Sequence, residues 1–277
     1  MRIVARNHAV GSPNKVHDPE FARSAGFRGG LVPGVDVYAY LTRLVMERWG
    51  RAWLASGGGE VRFVRPVCDG DELELAARLQ ADQTLMVLAR CGGEDRAVLM
   101  ANLDQPLPDH ELRNFPERAL PEPKLRARPE SFSPGDWLGS MSTSITRADA
   151  ISQLTEVGET NSVYVREQLV HPGHLLRFAD SLIAANVNLP PWMHVGSVFQ
   201  HHGLVHWDER ISVRACVVQT FERKGHDFVQ LDVLLLGEDK SPRFRVRPYT
   251  AIYRPAFVDR ATVPSNRSSQ DGAGRQS

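Results

Sequence analysis

The chain has 277 residues, 42% of them apolar and 24% charged, which is the balance of a globular protein of one large or two ordinary domains. Its 33 basic and 33 acidic side chains cancel to a formal charge of zero, which argues against a dedicated nucleic-acid binder. No apolar run approaches the roughly 18 residues a membrane-spanning helix needs, so no membrane partner is expected.

The first residues, "MRIVARNHAV", lack the apolar core of a secretory signal. The three cysteines, Cys68, Cys91 and Cys216, never stand at CxxC spacing, so reduced thiols and a cytoplasmic location are expected. The stretch "SPNKVHDPEFARSAGFRGGLVPGV", Ser12 to Val35, comes next. Asp18 is a good N-cap, Pro19 suits a first helical turn and Glu20 suits the positive end of the dipole, so a short helix should start here and stop at Gly26. A long helix follows, with Val37, Leu41, Leu44 and Val45 at helical spacing. Tyr38, Tyr40, Trp49 and Trp53 read as core or groove lining, and Gly57–Gly59 as the stop. Strand candidates then run from "GEVRFVRPV" to "RAVLMANLDQ".

Pro106–Pro134 is rich in proline and charge and reads as a surface linker. Beyond it the order repeats. "VHPG" leads into a helix with Leu175, Phe178, Leu182 and Ile183 on one stripe, followed by strands from "GSVFQHHGLVHW" to "RVRPYTAIYRP". The expected division is an N-terminal half, 1–115, a Pro-rich linker, 116–135, a C-terminal half, 136–256, and a disordered tail, 257–277. Each half is an α+β unit in which a long helix is covered by an antiparallel sheet.

Asn14, His17, Asp18, the short helix, Gly26–Phe27 and the Gly before the long helix resemble the MaoC-like (R)-specific enoyl-CoA hydratase/dehydratase family. The resemblance implies a tandem, or double, hotdog fold: in each half a long central helix wrapped by an antiparallel sheet. The family pattern is Asp-x-Asn-Pro-x-His, then a helix, Gly-Phe and His-Gly. Here its catalytic Asp falls at Ser12, its Pro at Lys15 and its second His at Pro33. The second half has no Asn-x-x-His before "VHPG".

By resemblance, His17 is the acid/base, Asn14 and Ser12 orient a water, and the N–H of Gly34 at the helix start binds the thioester carbonyl. Serine cannot take a proton from water at neutral pH, so a carboxylate restored at Ser12 should raise the rate. Asp36 is the alternative carboxylate, although it falls inside the long helix.

"HHGLVHWDE" holds His201, His202 and His206. As a strand it would place His202 and His206 on one face but well apart, so a metal site is not expected. His171 and His174 flank the second Pro-Gly and read as helix-start residues. No GxSxG elbow or phosphate loop is present.

The expected function is reversible hydration of a 2-enoyl thioester, as a lyase of fatty acid metabolism without a cofactor. Its partners would be acyl-CoA or acyl-carrier-protein thioesters, and two double hotdogs could pair as a homodimer. The rivals are an acyl-thioester hydrolase using Asp36 and a non-catalytic thioester binder; fold does not separate them.

Overall fold

The computed structural model describes residues 1–103 and 115–256. The expected tail, 257–277, lies outside the described residues, as does the 104–114 part of the Pro-rich stretch.

The first half runs β1 (Arg2–Val4), a 3-10 turn (Lys15–His17), α1 (Pro19–Ser24), α2 (Gly34–Trp49), α3 (Arg51–Ser56), β2 (Gly58–Phe63), β3 (Glu72–Leu79), β4 (Leu85–Cys91) and β5 (Glu94–Asn102). The second runs β6 (Met141–Ser144), α4 (Arg147–Glu156), α5 (Val163–Arg166), α6 (Pro172–Asn186), β7 (Met193–His201), β8 (Arg210–Arg223), β9 (His226–Leu236) and β10 (Pro242–Arg254). α4 and α5 precede the second long helix and have no counterpart in the order of elements expected above. α4 is capped by Thr146, whose hydroxyl accepts from the Asp149 N–H.

Among the described residues, ten strands form one antiparallel sheet in the order β1-β3-β4-β5-β2-β7-β10-β9-β8-β6. The halves meet where β2 pairs with β7, from Gly58 opposite Gln200 to Arg62 opposite Gly196. α2 and α6 lie against each other inside the curled sheet, and one hydrophobic core runs through both halves. Val35 to Thr42 of α2 are all buried, because sheet and partner helix together enclose that segment. α6 likewise buries Leu175, Leu176, Phe178, Ala179, Leu182 and Ile183.

From Phe115 the chain crosses the outer face of the second half's strands. Phe115 packs on Trp137 with ring centroids 5.3 Å apart, and against Leu234 and Leu236. The strand expected over "GSVFQHHGLVHW" ends at His201. His202 and His206 therefore do not share a strand face: Gly203 opens a loop, and the His206 N–H binds Glu209 Oε2.

Candidate active site

The loop before α1 is fixed by local bonds. The Asp18 carboxylate accepts from the Glu20 and Phe21 N–H groups at 2.9 and 2.8 Å, capping α1. The Asn7 amide donates to the His17 carbonyl at 2.7 Å. His17 Nδ1 stands 2.7 Å from the Leu31 carbonyl oxygen. A carbonyl can only accept, so Nδ1 carries the proton and the neutral ring keeps a lone pair on Nε2. Burial lowers the His17 pKa; the Leu31 carbonyl opposes that and the charge on Arg177 adds to it. The imidazole is thus a neutral, oriented base at neutral pH.

His17 opens into a cavity of about 260 Å³ between the two halves. Gly34 and Phe63 line it from the first half, and Asp180, Trp192 and His194 from the second. At the start of α2 the Asp36 and Val37 N–H groups bind the Pro33 carbonyl, which leaves the Gly34 and Val35 N–H groups without a helical acceptor. The Pro33 ring carries no acceptor to cap them, and the helix dipole adds positive potential at that end. A Cβ on Gly34 would stand 3.1 Å from the Phe63 ring, so glycine lets ring and helix end approach.

Asp180, on α6, faces the same cavity. The Tyr249 hydroxyl donates to its Oδ1 at 2.8 Å, and His194 Nδ1 lies 3.5 Å from that oxygen. Burial raises the Asp180 pKa to about 7, against the Tyr249 bond and Arg177, and with Asp36. Burial also takes His194 down to about 3. With the imidazole held neutral, Asp180 and His194 are in contact without forming an ion pair. His194 Nε2 meets the Ser197 hydroxyl at 2.8 Å.

Of the other expected site residues, Asn14 lines the same cavity, and Ser12 and Asp36 do not. Asn14 Oδ1 accepts from the Trp192 N–H at 3.1 Å and Asn14 Nδ2 donates to the Trp192 carbonyl at 3.0 Å. Its amide therefore ties the His17 loop to the second half, with Nδ2 still 3.5 Å from His17 Nε2. The Ser12 hydroxyl donates to the Asn14 carbonyl at 3.3 Å, and Ser12 is not among the cavity-lining residues. Asp36 is buried, outside the cavity, and paired with Arg177 of α6. Burial pushes its carboxyl up and Arg177 pulls it back.

His171 caps α6, its Nδ1 accepting from the Gly173 N–H at 3.1 Å. Burial takes His174 down to about 4 and His201 to about 3, the latter enclosed by Trp53, Phe199 and Phe244. Among the described residues no three His, Cys, Asp or Glu side chains are grouped to hold a metal ion, and no helix is long and apolar enough to cross a membrane.

Asp180 was not singled out from the sequence. Its signal was there: Arg177 and Asp180 are the charges in "LLRFADSLIAANV", on a helix otherwise apolar around its buried segment.

No protein-family model and no curated protein matches the sequence. Solved structures share the fold. One described as a MaoC domain protein dehydratase from Chloroflexus aurantiacus matches with a TM-score of 0.63 at 11% identity, over 92% of this chain and 93% of that one. A conserved hypothetical protein from Mycobacterium tuberculosis with a double hotdog fold gives 0.56 at 14% identity, over 90% and 94%. One described as an oleoyl thioesterase from Lactobacillus plantarum gives 0.52 at 12%, over 92% and 96%. The chain has the double hotdog fold, as the N-terminal motif implied.

Proposed function

We propose that the chain is a MaoC-like hydratase/dehydratase acting on an acyl thioester. The observation that carries this reading is one cavity holding the His17 imidazole from one half and the Asp180 carboxyl from the other, beside two unbonded N–H groups at the start of α2. In the dehydration direction, His17 Nε2 takes a proton from C2 of a 3-hydroxyacyl thioester. The electron pair released forms the C2=C3 double bond. Asp180 gives its proton to the departing C3 oxygen, which leaves as water. The Gly34 N–H bears the negative charge that builds on the thioester oxygen. Hydration is the reverse, with Asp180 taking a proton from water and His17 returning one to C2.

The pKa values suit these tasks. A neutral His17 is ready to accept, and an acid near 7 is ready to donate at neutral pH. Asp180 takes the carboxylate role that the motif leaves empty at Ser12. Asn14 holds the base loop in register with Trp192 and, lining the cavity beside His17 Nε2, also helps to orient the water.

The substrate in this reading is an acyl-CoA or acyl-carrier-protein thioester, met in the cytoplasm without a cofactor. The halves are 1–115 and 136–256, with 116–135 as the linker, and two chains pair as a homodimer. The hydrolase reading loses its expected carboxylate, because Asp36 is buried with Arg177.

The test is one preparation assayed on 2-enoyl-CoA, 3-hydroxyacyl-CoA and saturated acyl-CoA panels. Interconversion of the first two, lost in His17→Ala and Asp180→Asn, is the expected result. Release of free thiol from saturated acyl-CoA alone would replace the reading with a hydrolase. No turnover on any panel would replace it with a binder.

A further inference from the structure

Tyr249 is held where a regular strand would not put it. On β10, Val246 pairs with Val233 of β9 and Phe199 of β7, and Tyr249 pairs with Leu231 and Ser197. The bulged strand takes three steps from 246 to 249 while each neighbour takes two, from 233 to 231 and from 199 to 197. Residues three apart on a regular strand face opposite sides. Here Val246 and Tyr249 are both fully buried on the inner face, while Arg247 between them is exposed. A second irregularity, on β7 between Gly196 and His194, brings His194 opposite Ala251 and onto the same inner face. Both bulges sit beside the cavity, and a bulge re-aims the side chain that follows it.

What these re-aimed side chains reach is Asp180. The Tyr249 ring lies on the His194 ring, with centroids 4.5 Å apart, and its hydroxyl donates to Asp180 Oδ1. His194 is in turn held by Ser197 and by the Phe63 ring, with centroids 5.1 Å apart. We propose that Tyr249 is the positioning residue for Asp180: by bonding Oδ1 it leaves the acidic proton on Oδ2 and fixes which oxygen meets the substrate. This rests on the reading of Asp180 as the proton donor. Tyr249 touches no reacting atom in this scheme; it acts through the carboxyl.

Burial sets the Asp180 titration first, followed by Tyr249 on β10, Arg177 on its own helix and Asp36 on α2, while His194 on β7 and His17 across the cavity face it. Of these, the Tyr249 bond favours the ionised carboxyl. Its loss therefore raises the pKa of the acid, and the alkaline limb of the dehydration profile moves to higher pH.

The experiment is Tyr249→Phe, which keeps the ring and its contact with His194, assayed for dehydration from pH 5 to 10 beside Asp180→Asn. The expected result is a fall in kcat of about 10- to 100-fold with KM unchanged, as for a misplaced catalytic group, together with the shifted alkaline limb. Asp180→Asn is inactive across the range. A Tyr249→Phe enzyme with wild-type kcat and an unmoved limb, beside an inactive Asp180→Asn, would overturn the positioning role and leave the dehydratase reading standing. Full activity in Asp180→Asn would overturn both. Should Tyr249→Phe not fold, the infrared carboxyl band taken as wild type minus Asp180→Asn at pH 6 decides. A hydrogen-bonded carbonyl frequency supports the role, and a free carbonyl frequency removes it.

Discussion

α2 and α6 begin alike, with Pro33-Gly34 and Pro172-Gly173, and have been put to different uses. At α2 no side chain caps the helix, the Gly34 N–H has no helical acceptor, and Gly34 lines the cavity. At α6 the His171 imidazole takes the Gly173 N–H, and Tyr164 lies on that ring with centroids 5.0 Å apart. A Cβ on Gly173 would stand 3.0 Å from the Ala39 Cβ and 3.1 Å from the Val35 carbonyl, so α2 itself closes that end. Seven residues in, from 34 to 41, α2 carries buried Leu41; over the same distance, from 173 to 180, α6 carries Asp180. One half offers the donor and the imidazole, the other offers the acid, and neither half holds a complete set. A duplicated fold has one candidate site because a capped, packed helix end is stable and an open one is reactive.

The largest effects should come from breaking the set across the two halves. His17→Ala and Asp180→Asn should each lower kcat for dehydration by about 10²–10⁴ while far-ultraviolet circular dichroism stays unchanged. Because the two act as a unit, the double variant should be about as slow as the worse single one. Equal activity in either single variant and wild type would end the idea of a shared site.

The open helix end can be closed on purpose. Pro33 has φ −53° and ψ 137°, the conformation a residue before proline adopts, and proline is accepted at the first helical position. Gly34→Pro should fold and lose kcat by about 10²–10³, the magnitude of a missing oxyanion donor. Gly34→Ala adds the same Cβ against Phe63 but keeps the N–H. If alanine is as damaging as proline, the loss is steric and the donor role fails.

The closed end should respond in stability. His171→Ala removes the cap and should lower the folding free energy by about 1–2 kcal/mol, or several degrees in Tm. Calorimetry beside the kinetic assay checks it, and kcat should stay near wild type.

A smaller effect concerns pH. The Asp180 pKa is raised in the fold from 3.8 to about 7, so its contribution to stability is full below about pH 4 and is lost as pH rises from there to about 7. Asp180→Asn should therefore change Tm little below about pH 4, raise it progressively from about pH 4 to 7, and hold that gain above about pH 7. The reverse trend would mean that the carboxyl is stabilised in its ionised form. His194 and His201 act in the other direction. Held neutral by burial, with pKa values near 3, they contribute stability that is full above about pH 6.5 and lost as pH falls towards 3.

The smallest expected effect is that of Ser12→Asp. Ser12 stands outside the cavity, so the added carboxylate should leave the rate unchanged, against the gain the motif alone implied. A large gain would move the site back to the N-terminal loop.

The amino-acid sequence by itself determined what depends on near neighbours. The Asp18 cap and Pro19 specify α1, the spacing of Val37, Leu41 and Val45 specifies α2, and the repeated order of helix then strands specifies two halves of one kind. His17 and Gly34 could be picked out because a local motif holds them. Only the tertiary structure decided that Asn14 would spend its amide on Trp192, that Asp36 would pair with Arg177, and that Asp180 would face the cavity with His17. It also decided the two bulges that turn Tyr249 and His194 inward, which strict alternation along β10 and β7 cannot show. The physical reason is that capping and periodicity are paid within a few residues. Contacts between residues more than a hundred positions apart arise only when β2 joins β7 and the two long helices are brought together.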